Sequence, residues 1–414
     1  MRSLFSKLGP GILYAGAAVG VSHLIQSTKA GSMYGLQLLG FVIIANIIKY
    51  PFFEFSTRYT LASGNTLLEG YQKMGKWALY LFLGVTFSTM FTIQGAVTFV
   101  TATLLKSVFS LQFDTAVIAA IVLTLCLAII WIGRYGVLDN LMKGIILILS
   151  VTTIVAATFA YSKVKAPILS PLEFHWEGNH ITFLIALIGW MPAPFDISVW
   201  QSEWTNEKLK LKELSVKDGL LDFKVGYWLT MFLAVIFLFL GAFTTYSEAI
   251  IPEAGGAFID HLLNLYTSSI GKWSYPIIAM AAITTMFSTT LTCFDAFPRV
   301  LEPCLNLIHP QRRSFKFAKQ SWLMLIAIGA ILLVLHTDMG LMIKIATILS
   351  FTTAPIIAYL NFMAVKRKEV PNHWRPKGWY SVTATISLIL LSGFTIYYLI
   401  REISNAIDVW GFSL

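Results

Sequence analysis

The sequence predicts an all-helical membrane protein of eleven spans, two matching five-helix halves followed by one extra helix. Three observations predict it. Of 414 residues, 57% are hydrophobic and only 12% are charged, against about a quarter charged in a soluble domain; mean hydropathy is +0.72. Apolar runs of spanning length recur along the whole chain. The basic residues between them alternate from one side to the other. Aromatic residues make up 14%, which excludes a disordered chain.

A bilayer-spanning helix needs about 20 mostly apolar residues. Such runs lie near 10–34, 36–57, 77–108, 115–133, 142–162, 181–201, 226–245, 274–305, 320–336, 340–364 and 380–400. The first follows two basic residues, Arg2 and Lys7, and Gly9-Pro10-Gly11 interrupts it early. It reads as a first span rather than a signal peptide, because a second span follows at once. The charged stretch 205–219 is expected to form a surface helix, and the amphipathic stretch 255–266 to lie at the outer interface. Cys126, Cys293 and Cys304 stand in or beside apolar runs without CxxC spacing, so no disulfide framework or thiolate metal site is expected.

The positive-inside rule tests this partition. With the N-terminus in the cytoplasm, the inner loops collect Arg58, Lys73 and Lys76, then Arg134 and Lys143, then Lys208, Lys210, Lys212, Lys217 and Lys224. Next come Arg299, Arg312, Arg313, Lys316 and Lys319, and finally Lys366, Arg367, Lys368, Arg375 and Lys377. The opposite side holds only Lys29, Lys106, Lys163, Lys165, Lys272 and Arg401. The net charge of +9 therefore marks topology and anionic headgroups rather than nucleic acid. The expectation is a multi-pass protein of the inner (plasma) membrane, N-terminus inside and C-terminus outside.

Two spans are interrupted. Span 1 carries Gly20-Val21-Ser22-His23 at its centre, and span 6 carries Trp190-Met191-Pro192-Ala193-Pro194. Each proline removes a backbone donor and clashes with the preceding turn. The freed backbone groups cannot face lipid and must meet protein or a water-filled cavity. Span 6 stands five spans after span 1, and interrupted segments in corresponding positions of two halves suggest an inverted-repeat transporter. The first repeat would cover about 9–162, the second about 181–364, with the extra helix at about 380–400, all in one transmembrane domain over 1–414. His23 at mid-span needs a partner or a function.

These residues resemble the Nramp (natural resistance-associated macrophage protein) divalent metal transporters. Gly9-Pro10-Gly11 followed by Ala30-Gly31-Ser32-Met33-Tyr34-Gly35 looks like the family's first helix. Met191-Pro192 stands where the family has Met-Pro-His. LASGNTLLEG at 61–70 and STTLTCFDAFPRVLE at 288–302 are similar to its second and eighth helices. The resemblance covers nearly the whole chain and implies a LeuT-type fold with alternating access, moving a cation, nominally a divalent metal. It also marks departures. The family's helix-1 Asp-Pro-Gly-Asn aligns with Gly20, Val21, Ser22 and His23, so the metal-binding aspartate is missing. The family's histidine after Met-Pro is Ala193, its acidic pair on helix 3 aligns with Phe91 and Gln94, and its helix-10 glutamine with Thr353.

The substrate site that the resemblance implies contains Gly20, His23, Ile188, Met191 and Thr353, with His23 and Met191 as metal ligands. That donor set is neutral, whereas hard divalent ions favour charged oxygen ligands. It leaves open a non-metal or monovalent substrate, or a non-transporting sensor. Asp196, one turn beyond Ala193, is expected to supply the missing carboxylate, with Asp295 as second choice; either could instead form a structural ion pair with Lys49 or Lys344. Trp190 beside the break could shape the site. An enzyme is not expected, because the seven histidines are scattered and no HExxH, phosphate loop or nucleophile elbow occurs. No cofactor is expected, and the expected partners are a small ion or solute and the lipid bilayer.

Overall fold

Glycine and proline decide where the first span starts, breaks and stops. Helix α1 (Pro10–Ala18) begins with proline in its first turn, where the missing N–H costs nothing. Val19 then turns to extended backbone, and a π-helical turn over Ser22–Ser27 leads into α2 (Thr28–Tyr34). The computed structural model describes residues 9–132, 135–162, 173–211, 214–244, 255–310 and 319–410. The basic residues Arg2, Lys7, Arg134, Lys163, Lys165, Lys212, Arg312, Arg313 and Lys316, whose charges entered the topology, lie outside them.

The chain continues through α3 (Leu39–Ser63), the short α4 (Leu67–Met74), α5 (Lys76–Val108), α6 (Thr115–Ile132) and α7 (Tyr135–Ser162). Span 6 is two helices, α8 (Gly178–Trp190) and α9 (Asp196–Leu211). Then follow α10 (Val216–Thr244), α11 (Gly255–Ile270), α12 (Tyr275–Ile308), α13 (Lys319–His336), α14 (Met339–Val365) and α15 (Gly378–Trp410). The stretch 205–219 does not form a separate surface helix: its first residues prolong α9 and its last open α10. The amphipathic segment lies in α11.

Among the described residues, seven helices are long and apolar enough to cross a membrane: α3, α5, α10, α12, α13, α14 and α15. The other four predicted spans fall on shorter pieces. Apolar helices cover 115–131, 146–162 and 178–190, and span 1 is divided by its π turn. Ile47, Leu125, Ile148, Phe232 and Ile389 stand exposed on these helices, as lipid-facing positions must. One large core, running from Leu13 and Tyr14 through Phe53, Trp200 and Phe297 to Leu360, fills the interior.

The first span is fastened to α10. Both carboxylate oxygens of buried Asp222 accept backbone N–H groups at the start of α1, from Gly9 and Gly11, each at 2.9 Å. These donors have no partner inside the helix. Asp222→Ala strands both, and a lost hydrogen bond to a charged group costs about 1.5–3 kcal/mol. A drop of several degrees in the melting temperature of the detergent-solubilised protein is expected. An unchanged melt would show that the cap contributes nothing.

Candidate functional site at the two broken helices

The break in span 6 exposes backbone acceptors. Helix α8 ends at Trp190; Met191 is extended, and a cis peptide joins it to Pro192. Helix α9 restarts at Asp196. The last carbonyls of α8 lack the full set of intrahelical donors; from the backbone, Ile188 O accepts only the capping N–H of Met191, at 3.2 Å, and the partial negative charge of the helix C-terminus is concentrated there. Lys49 of α3 fills that position. Its Nζ donates to Ile188 O at 2.7 Å and to Gly189 O at 3.0 Å. The side chain is fully buried, and the Phe195 ring centroid lies 5.4 Å from Nζ.

Asp196 stands at the opposite end of the break. It occupies the first turn of α9, where a negative charge meets the positive end of the helix dipole. Thr89 Oγ1 of α5 lies 3.2 Å from Oδ1, and Oδ2 is buried without a partner. Asp196 therefore does not pair with Lys49 or Lys344. Asp295, by contrast, is an ion-pair residue: Oδ1 accepts from Lys319 Nζ at 2.5 Å, and Oδ2 from Arg299 Nε.

The expected ligands go elsewhere. His23 is fully buried, with Nδ1 2.7 Å from Ser22 Oγ and Nε2 3.0 Å from the Thr230 carbonyl on α10. A carbonyl only accepts, so Nε2 carries the proton and Nδ1 faces the Ser22 hydroxyl. Neither nitrogen is open to a substrate. Met191 belongs to an apolar cluster with Tyr34, Val42, Ala234 and Leu238. The carbonyl of Gly20 accepts from the N–H groups of His23 and Leu24 at 3.2 and 2.9 Å. A Cβ at Gly20 would come 2.8 Å from Thr289 Oγ1 of α12, so the residue marks a close helix approach. Among the described residues, no group of three or more His, Cys, Asp or Glu could hold a metal ion.

On α14 the register differs from the expected one. Thr353 is half-buried, and its hydroxyl bonds back to Leu349 O at 2.8 Å. The face turned to the break carries Thr347, Ser350 and Phe351, at helical i, i+3, i+4 spacing. Ser350 Oγ accepts Trp190 Nε1–H at 2.8 Å, so Trp190 does shape the break. Gln94 ties α5 to α12 by donating to Thr290 O at 3.3 Å, and Phe91 packs where a Cβ on Gly329 would meet its ring at 2.4 Å.

A polar seam escaped the sequence reading. Ser56 Oγ donates to Ser198 O. Thr60 Oγ1 meets Ser202 Oγ at 2.8 Å. Asn361 Nδ2 donates to Ser198 Oγ at 2.8 Å and to Phe52 O at 3.0 Å, while its Oδ1 accepts from Tyr71 OH. This seam fixes α9 on α3, α4 and α14. Small hydroxyl residues at helical spacing on span 2 were the available signal.

Two cavities open at opposite ends of the bundle. One, of about 580 Å³, lies among the π turn, α2, α8 and α14, and reaches Ile25, Ala186 and Ile343. The other, of about 560 Å³, lies among α4, α9 and α12, beside Glu69, Glu203 and Arg299.

The comparisons agree with this architecture. The family model for natural resistance-associated macrophage protein-like (Nramp) sequences matches residues 11–401. An uncharacterized protein of Pasteurella multocida is 36% identical over 97% of this chain and 93% of its own. The metal transporter Nramp6 of Arabidopsis thaliana is 23% identical over 97% of this chain and 78% of its own. A variant of the Eremococcus coleocola manganese transporter superposes with a TM-score of 0.77 at 12% identity, covering 98% of this chain and 88% of that one. The described residues are helical, with breaks in spans 1 and 6, and the chain belongs to the Nramp family, a family of transporters rather than enzymes.

Proposed function

We propose that this chain is a secondary transporter that moves a small ion or solute by alternating access through the breaks in spans 1 and 6. The observation that carries the reading is the pair of cavities at opposite ends of the bundle, separated by the break between α8 and α9. Rocking of the two halves would open the break to each cavity in turn. The Lys/Arg distribution supports eleven spans in the inner (plasma) membrane, with the N-terminus in the cytoplasm and the C-terminus outside.

A divalent metal is the first cargo to test, since relatives in the family carry metal or manganese in their names. The direct test is uptake into proteoliposomes of manganese against magnesium and calcium. A non-metal or monovalent cargo is the second reading. It is favoured by the engaged nitrogens of His23, the apolar setting of Met191 and the ammonium of Lys49 on the α8 carbonyls. Manganese entry that depends on Met191 and His23 supports the first reading; no divalent entry supports the second.

Asp196 is the carboxylate we assign to the cargo path. Asp196→Asn keeps the shape and the Thr89 contact but removes the charge. It is expected to lower the initial uptake rate about tenfold, the equivalent of about 1.4 kcal/mol, with little change in melting temperature. A variant that transports at the wild-type rate would remove Asp196 from the path.

A further inference from the structure

Lys49 has the surroundings of a bound metal ion, although it is a side chain. Its ammonium sits on two backbone carbonyls, Ile188 O at 2.7 Å and Gly189 O at 3.0 Å, at the unwound C-terminal end of a half-helix. Ends of this kind in discontinuous helices coordinate cations, because aligned peptide dipoles leave partial negative charge on the last carbonyls; the Met191 N–H, 3.2 Å from Ile188 O, leaves that oxygen's second lone pair to the ammonium. The third side of the ammonium faces the Phe195 ring, with 5.4 Å to the centroid, close enough for a cation–π contact.

Two ordinary explanations for a buried lysine fail here. Snorkelling would carry the head to water, but Lys49 is fully buried and its head is directed at the break. Ion pairing would need a carboxylate. Among the described residues none pairs with Lys49: Glu54 is held by Arg58, Asp295 by Arg299 and Lys319, and Asp196 faces Thr89. The positive charge is balanced by carbonyl oxygens and the helix end.

We propose that Lys49 is a resident cation, a covalently tethered ammonium filling a cation site formed by the Ile188 and Gly189 carbonyls. The site takes a free monovalent cation of ammonium size only when the side chain is cut back. The inference deepens the reading of the break as the cargo site. It also names what that position excludes: with Lys49 Nζ on the carbonyl pair, a free metal ion cannot use those two oxygens.

The test is thermal unfolding of the full-length purified protein in detergent at constant ionic strength. Wild type and Lys49→Ala are compared in choline, sodium, potassium, ammonium and ethylammonium chlorides. The wild type is expected to melt at one temperature in all five salts. Lys49→Ala is expected to melt several degrees lower in choline and to recover, saturably, in at least one small monovalent cation. A wild type stabilised by the same cation to the same extent would overturn the proposal, because the carbonyl pair would not be filled. So would a Lys49→Ala protein indifferent to every cation.

Should Lys49→Ala not survive extraction in choline, the recovery of monodisperse protein extracted throughout in ethylammonium becomes the readout. Recovery in ethylammonium alone supports the resident cation. Loss in both salts beside a stable Lys49→Met overturns it. None of these readouts needs flux, so a protein that fails every uptake assay can still pass, and a working transporter can still fail.

Discussion

Gly241→Leu is expected to prevent the protein from folding into a monodisperse particle. Helices α2 and α10 touch backbone to backbone. A Cβ on Gly241 would lie 2.1 Å from Thr28 O, and one on Gly31 would lie 1.9 Å from Leu238 O. Near the other end of α10 a second pair repeats the device. A Cβ on Gly226 would come 2.0 Å from Gly11 O, and one on Gly11 would come 2.1 Å from Asp222 O. Small residues let membrane helices approach this closely. The obstacle is backbone on the facing helix, so no rotamer change relieves it. Overpacking a core costs about 1–3 kcal/mol where side chains can move, and here they cannot, so we expect the upper end of about 3 kcal/mol or beyond. Size-exclusion profiles of tagged protein check it. Gly84→Leu is the control, since nothing lies within 4 Å of a Cβ there. Equal profiles for the two variants would mean that α2 and α10 stand further apart.

Asp295→Ala is expected to give the second-largest loss of stability. The carboxylate joins Arg299, one turn along α12, to Lys319 at the start of α13. Asp295 is nearly buried, while the two cations keep 25% and 33% of their side-chain surface. Removing it takes away the buried anion that joins the two cations. A fully buried pair broken in this way costs about 3–5 kcal/mol; partial exposure of the cations reduces that to about 2–3 kcal/mol. The exposed pair of Lys210 and Glu207 is the internal comparison, and such pairs are worth under about 1 kcal/mol. Melting curves of Asp295→Ala and Glu207→Ala decide it, and equal shifts would refute the ranking. Adding Arg299→Ala to Asp295→Ala should recover part of the loss, because it removes the repulsion between the two cations that Asp295 joined.

The parts of this fold that sequence revealed are those encoded in side-chain type along one helix. Apolar runs and loop charges mark the spans, and Gly20 and Pro192 mark the breaks. What was hidden depends on backbone atoms from distant segments. The partners of Lys49 are carbonyls of Ile188 and Gly189, and that of His23 is the carbonyl of Thr230. Carbonyls have no residue signature, so Lys49 could be noticed as an intramembrane charge, but the sequence offered it only carboxylates, Asp196 or Asp295, as partners. Register within a helix was equally hidden. Thr353 and Ser350 are both hydroxyl residues beside Pro355, and only the packing of α14 on α8 selects Ser350. Asp196 was legible because charge at the start of a half-helix is a local property.

The division of span 6 also bears on how the protein is made. Helix α8 has only 13 residues, too few to cross the hydrocarbon core by itself. Helix α9 begins with Asp196 and carries Glu203, Glu207, Lys208 and Lys210, so it partitions poorly into lipid. Neither half alone has the apolar length that holds a helix across the bilayer. Its hydrogen-bonding partners on α3, Lys49, Ser56 and Thr60, are synthesised well over a hundred residues earlier. Order of synthesis thus places these partners in the chain before the segment that needs them.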